Sequence, residues 1–370
     1  MKQIGKLFNI PVFLHWSVVI FPGFAAYLAF SLYGDEAFGL EALGFAHLLV
    51  ALLLLSVLAH ELGHALAGRY LGIETDRIVI NGMGGAAYLR HLGEKPHETV
   101  LIAIAGPLTN IALGLLVYFF LEVAYGFGDF RGAPDGIFGL PFGERLLYIF
   151  FYYNLILIIF NLLPGLPLDG GWILDGLLRY IMPSEWATIV AARLGQLLAA
   201  VLFVLGAHLV DWILPLLAAF IFWQSTQLLV RAKRQRRLNR HQIGDLMHQD
   251  FQHIEAAEAV ETAMAKVAQA PGRYFMIPDE QGKLGVMASG SQLVQVYQEH
   301  REEPAFLAAI ASLHSYAIHE DTPVSVAWDY VHYHNAAAFA VLRGDEVVGV
   351  LEGENVRQLV PKKIGPSIFH

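Results

Sequence analysis

The sequence predicts a polytopic α-helical membrane protein of about six transmembrane helices, with a short membrane-associated β region and a small cytoplasmic α/β tail. Three observations carry that expectation. Of 370 residues, 56% are hydrophobic and only 15% charged, too apolar for a single soluble domain. Charge-free stretches, each near the roughly 20 residues a helix needs to cross a bilayer, recur along the first two thirds of the chain. Beyond Arg240 the hydropathy falls, and short apolar segments alternate with polar ones.

The uncharged gaps lie between Lys6 and Asp35, Glu41 and Glu61, and Glu98 and Glu122. Three more separate Arg145 from Asp169, Arg193 from Asp211, and Asp211 from Arg231. Lys2 and Lys6 ahead of an apolar run are also features of a signal peptide. Residues 7–34, however, exceed a typical cleaved apolar core, so a retained first helix is expected. Lys2, Lys6, Arg69, Arg77, Arg90, Lys95, Arg179 and the basic run 231–240 fall on one face of this topology. Asp35, Glu36, Glu41, Asp129, Asp135 and Asp211 fall on the other, with Arg131 as the main exception. The excess of Lys and Arg places both termini in the cytoplasm.

Residues 78–89, IVINGMGGAAYL, are rich in β-formers and glycine and too broken for a spanning helix. Short strands or a re-entrant hairpin are expected there. Residues 231–240 carry six basic groups and no acid, whereas 241–370 carry 17 acids against 8 bases. A basic run after an apolar segment reads as a membrane-flanking anchor, and the acidic tail beyond it argues against nucleic acid. The chain thus divides into a membrane domain at 1–230, a basic linker at 231–240 and a tail at 241–370. The tail holds two similar halves about 64 residues apart, judged by aligning Gly285-Val286 with Gly349-Val350. Each has a helix followed by two strands, with helices at 254–268 and 324–334.

The chemistry concentrates at His60-Glu61-Leu62-Gly63-His64. On a helix, residues four apart share a face, so both imidazoles can reach one ion, with Glu61 beside them to take a proton from water. Two helical histidines can also be ordinary core residues. The run from Ala42 to His60 contains no Asp, Glu, Lys or Arg, however, and an ionisable cluster at such depth is costly and usually functional. Cysteine is absent, which leaves His, Asp and Glu as metal ligands, and zinc suits two imidazoles best. A second anchor is Asn161-Leu-Leu-Pro-Gly-Leu-Pro-Leu-Asp169-Gly-Gly171, whose prolines and glycines must break the fourth span. At about 1.5 Å rise per residue, Asp169 and His60 reach similar depth. Asp169 is the natural third ligand, Asp175 its competitor, and a helix cap the alternative role. His15, His47, His91 and His97 are expected to be non-ligands.

Together the HELGH and NLLPGLPLDGG segments, with Gly106-Pro107-Leu108-Thr109-Asn110, resemble the site-2 protease family of intramembrane zinc metalloproteases over residues 10–230. The tail resembles paired cystathionine-β-synthase-like (CBS) repeats. The resemblance implies that His60, His64 and Asp169 hold one zinc and that Glu61 is the general base and acid. Asn161 would steady the substrate or the developing oxyanion, unless it merely caps the broken helix. Residues 78–89, with Met83 and the glycines allowing close approach, would hold a membrane-spanning protein substrate as an added strand. CBS-like repeats often place an Asp after the last strand to hold a nucleotide ribose. Here those positions read Ser289-Gly-Ser-Gln292 and Glu352-Gly-Glu-Asn355, which counts against an adenine nucleotide and leaves homodimerisation as the tail's expected role. The rival readings are a CBS-gated metal transporter or channel, which gives Glu61 no task, and a non-catalytic membrane scaffold, which does not need all three ligands.

Overall fold

The structure, a computed structural model, describes residues 1–33, 39–82, 84–90, 95–126, 136–209, 213–255, 258–278, 284–300, 302, 306, 310, 316–333 and 336–360. Met83, His91, Asp35, Glu36, Asp129, Arg131, Asp135 and Asp211 lie outside them. The chain divides into two compact units, Met1–Leu229 and Val230–His370.

The first unit opens with a hairpin, β1 (Lys2–Leu7) and β2 (Ile10–Leu14). Its turn is Phe8-Asn9, both at positive φ (48° and 66°), the left-handed conformation that tight two-residue hairpins require. This moves the start of the expected first span. Residues 7–34 are uncharged, but their first third pairs as strand, and the helical part begins with a 3₁₀ turn at Trp16–Val19 that runs into helix α1. Among the described residues α1 covers Ile20–Tyr33. The physical reason is local: the Phe8-Asn9 turn and the β-formers Ile10 and Val12, buried on the sheet, outweigh helix formation there.

Five helices among the described residues are long and apolar enough to span a membrane: α2 (Leu40–Tyr70), α3 (Pro96–Tyr125), α4 (Phe142–Asn161), α6 (Ser184–Leu209) and α7 (Ile213–Leu238). Between α2 and α3 lies the expected hairpin, β3 (Thr75–Asn81) and β4 (Gly84–Leu89). The sheet order is β1-β2-β3-β4, so β4 is an edge strand; β2 pairs parallel to β3 through Val12–Ile78 and Leu14–Ile80. Ile10, Val12, Ile78 and Ile80 pack with Ala65, seating the sheet on the C-terminal turns of α2. A larger apolar core of Phe45, Leu49, Leu121 and Tyr148, all fully buried, joins the opposite end of α2 to α3 and α4.

The predicted break after α4 is present. The helix stops at Asn161, and a short helix α5 (Asp169–Leu178) starts eight residues further on. The intervening turn folds so tightly onto α5 that a Cβ on Gly170 would lie 2.2 Å from the Leu162 carbonyl oxygen. Only glycine fits at that crossing.

The second unit contains two three-stranded sheets, each a parallel pair followed by an antiparallel hairpin. They comprise β5 (Phe251–His253), β6 (Tyr274–Pro278) and β7 (Leu284–Ser289), then β8 (Tyr316–His319), β9 (Ala338–Arg343) and β10 (Glu346–Glu352). Helices begin at Val260 and Val324, and β6 and β9 begin at Tyr274 and Ala338, so both offsets are 64 residues. The basic run is helical as far as Leu238, whose side chain is fully buried with Ile243, Val324 and Phe339. Met276, Met287, Ala340 and Val350 pack the two sheets together.

Candidate metal centre

His60 and His64 leave α2 one turn apart, with ring centroids 4.7 Å apart and ring planes at 86°. Their Nε2 atoms approach to 3.1 Å. Asp169, the first residue of α5, reaches both: Oδ2 lies 2.9 Å from His60 Nε2 and Oδ1 3.3 Å from His64 Nε2. One ligand atom from each of the three falls within 4.8 Å of the others. The Asp169 carboxylate faces the imidazoles, and the residue flanking α5 at its N-terminus is Leu168. Asp175 is elsewhere. It is fully buried, 2.6 Å from Arg179 Nη2, and accepts a 2.7 Å hydrogen bond from Thr188 Oγ1 on α6. His15 bonds Ser17 and His47 bonds the Leu43 carbonyl, and His97 lies in the first turn of α3.

The third core helix makes room for the imidazoles. A Cβ on Gly106 would sit 2.4 Å from His64 Nε2 and 2.7 Å from His60 Nε2, so the rings fill the space a side chain would occupy. His64 Nδ1 lies 2.7 Å from the Ile102 carbonyl oxygen, one turn earlier on α3. That bond places the proton on Nδ1 and turns the Nε2 lone pair toward Asp169 and His60, the arrangement that orients a ligating histidine. Pro107 lies between this carbonyl and Asn110 on the same helix, where its ring denies α3 one internal hydrogen bond.

Glu61 points to the sheet. Its Oε2 accepts a 2.7 Å hydrogen bond from the Ala87 N–H of β4, and a Cβ on Gly85 would lie 2.5 Å from Glu61 Cγ. The glycines of β4 thus bring the edge strand's backbone onto the carboxylate. Asn161 sits half-buried at the last position of α4 and makes none of the hydrogen bonds seen in the cluster. The Gly106 cradle, the Ile102 carbonyl and the Ala87 contact escape a reading of residue types alone. For Gly106 the GPLTN element was the available signal; the other two are backbone groups without one.

Residues 48–137 and 142–205 match peptidase family M50. Zinc metalloprotease MJ0392 of Methanocaldococcus jannaschii is 30% identical over 226 residues, 61% of this chain and 59% of that protein. YwhC of Bacillus subtilis is 30% identical over 189 residues, covering 43% of this chain and 82% of YwhC. The chain belongs to peptidase family M50. It spans only about half to three-fifths of the length of the first curated relatives it matches. Among solved structures, the site-2 protease from Methanocaldococcus jannaschii aligns at 28% identity and TM-score 0.46, covering 62% of this chain and 94% of that one. The CBS domain pair of protein MJ0100, solved with 5-methylthioadenosine and S-adenosyl-L-methionine, aligns at 18% identity and TM-score 0.27, over 32% of this chain and 98% of that one.

Proposed function

We propose that the protein is an intramembrane zinc endopeptidase that hydrolyses a peptide bond of a membrane-spanning protein, with His60, His64 and Asp169 as zinc ligands and Glu61 as general base and acid. The observation that carries the reading is the convergence of three donor atoms within 4.8 Å, one residue from a carboxylate, on apolar helices of a family M50 chain. The donor set fits zinc. Two imidazole nitrogens and one carboxylate oxygen leave the fourth tetrahedral position open, as catalytic zinc sites require. The Ile102 carbonyl already fixes the tautomer of His64 that offers Nε2 to a metal.

Zinc held there supplies Lewis acidity toward the scissile carbonyl and lowers the pKa of water. Glu61 accepts the proton that water gives up and returns it to the leaving amine. The Ala87 N–H keeps the carboxylate from rotating away from the histidines. Because that N–H lies on the edge strand, an extended segment added alongside β4 runs past Glu61, with main-chain hydrogen bonds holding it unwound. A peptide bond within a regular helix is shielded from attack, so this docking is part of the chemistry. Asn161 is assigned to steady the substrate carbonyl, where a donor fixed before reaction contributes most. The domain division at 230 and 240, cytoplasmic termini, homodimerisation through the tail and an absence of nucleic-acid partners belong to the same reading; an adenine nucleotide at the tail is its least supported part, because residues 289–292 and 352–355 lack the ribose-holding Asp.

The test is co-expression of the full chain with candidate single-span membrane proteins, comparing wild type with Glu61→Gln. Cleavage by the wild type alone, with equal zinc in both, supports the proposal. Cleavage by both overturns the assignment of Glu61. Zinc in neither overturns the metal site.

A further inference from the structure

We propose that Ser56, Asn110 and Asn154 form a buried water site that completes the hydrogen bonding of His60 Nδ1, doing for this histidine what the Ile102 carbonyl does for His64. The inference rests on the reading of His60 as a zinc ligand.

The two histidines are held asymmetrically. His64 Nδ1 is engaged by Ile102 O at 2.7 Å, whereas His60 Nδ1 is buried and has no partner among the described residues. A ligating histidine normally donates its other ring N–H, and without an acceptor that buried group costs about 1–3 kcal/mol. No protein acceptor among the described residues meets it, so the position calls for a small polar molecule.

The helix register says where that molecule sits. α2 and α3 cross antiparallel, and contacts advance by one turn on each. His64 meets Ile102, and His60 meets Gly106. Continuing that register by four residues on each helix brings Ser56 level with Asn110. Ser56 Oγ donates a 3.2 Å hydrogen bond to Asn154 Oδ1, which brings α4 into the same layer. All three residues are fully buried, yet Asn110 Nδ2, Asn110 Oδ1 and Asn154 Nδ2 have no partners among the described residues. Helix register therefore puts the three orphaned amide atoms about one turn of α2 from His60, whose Nδ1 is the fourth.

Their chemistry balances around water. A water oxygen accepts from His60 Nδ1–H and Asn154 Nδ2–H and donates one hydrogen to Asn110 Oδ1. That makes three hydrogen bonds, the number a buried water typically forms. The second hydrogen and Asn110 Nδ2 serve an adjoining water. Space exists for it: Gly114, the next turn of α3, is buried, yet a Cβ added there would meet nothing within 4 Å. Apolar cavities stay dry, but one lined by two amides and an imidazole holds water. Beyond this layer lies the apolar core of Phe45, Leu49 and Tyr148.

The decisive experiment is a map of the zinc-loaded full-length protein at a resolution that shows ordered solvent, together with zinc release into excess chelator from wild type, Asn110→Leu and Asn154→Leu. We expect one water within hydrogen-bond reach of His60 Nδ1 and both asparagines. Each leucine variant should retain one zinc but release it about 10- to 100-fold faster, the range for losing an outer-shell partner. Val117→Ala, a cavity variant in the apolar part of α3, controls for general loosening and should release zinc at nearly the wild-type rate. The proposal is overturned if the map shows a protein group on His60 Nδ1 and no water, or if Val117→Ala speeds release as much as the leucine variants. Should the leucine variants fail to fold, the wild-type map alone decides. A wild type that binds no zinc sinks the proposed function; a map of that metal-free protein then judges this inference separately, by the presence or absence of the water at His60 Nδ1.

Discussion

Gly106→Ala is the sharpest test of the metal centre, because it alters no ligand and adds one methyl group. The new Cβ would lie 2.4 Å from His64 Nε2, 2.5 Å from His64 Cε1 and 2.7 Å from His60 Nε2. Ordinary van der Waals contact begins near 3.4 Å, so the His64 ring must retreat by about 1 Å or the two helices must part by as much. Parting is opposed by Gly63, whose own added Cβ would lie 2.7 Å from the Ala105 carbonyl oxygen. Zinc sites tolerate roughly ±0.2 Å in ligand distance, so a 1 Å retreat should reduce zinc affinity at least as much as losing an outer-shell partner, about 10- to 100-fold. Overpacking should cost a further 1–3 kcal/mol or so of stability. Zinc content of the purified protein, chelator competition and thermal unfolding measure these effects. Gly44→Ala on α2, where a Cβ meets nothing within 4 Å, is the control and should behave as wild type. A Gly106→Ala protein that binds zinc as tightly as wild type would refute the cradle.

Asp169→Ala should strip the metal, since it removes the donor that touches both histidines. Asp175→Ala should instead leave zinc in the folded protein but destabilise it by about 3–5 kcal/mol, the usual cost of breaking a buried charge pair; thermal unfolding with zinc analysis separates the two, and loss of metal only in the Asp175 variant would invert the ligand assignment. Glu61→Gln should keep both zinc and the Ala87 bond, because its amide oxygen still accepts, while cleavage falls by at least about 100-fold for want of a proton acceptor. In the tail, Arg343 grips Glu320 through Nε at 2.5 Å and Nη2 at 2.8 Å and holds its carboxyl below the usual range. A carboxyl with a depressed folded-state pKa contributes stability above its unfolded value, near 4.3, and loses it as pH falls through the folded value. Glu320→Gln should therefore flatten the acid limb of the tail's unfolding profile, and an unchanged limb would show that the pair contributes nothing there.

The sequence disclosed those parts of the site that depend on residue type and spacing. HELGH could be placed on one helix face because helical geometry requires it. Asp169 could be brought to the same depth because the glycine- and proline-rich turn had to end α4. The glycine-rich hairpin and the 64-residue repeat were legible for similar reasons, as composition and period. The start of the first span was not. Absence of charge says that a segment tolerates an apolar setting, and a strand buried against β3 meets that condition as well as a spanning helix does. The distinction lay in the Phe8-Asn9 turn, a two-residue signal inside an apolar run.

Backbone partners were the other gap. The Ile102 carbonyl and the Ala87 N–H belong to residues whose side chains have no part in the chemistry, so no reading of residue types could single them out. Their positions follow only from the crossing of α2 with α3 and from the seat of β4 on α2. The orphaned amides of Asn110 and Asn154 show the converse. Their identities look like ordinary interhelical glue, and three buried amide atoms without partners among the described residues are what mark them as a candidate site. A change at Asn110 should therefore register in zinc retention before it registers in the fold, because helix register puts it one turn from His60 and its buried amide contributes no hydrogen bond to the packing among the described residues. A variant series at this position in which stability falls first, with zinc release unchanged in whatever remains folded, would return Asn110 to the role of packing residue and leave His60 without its water.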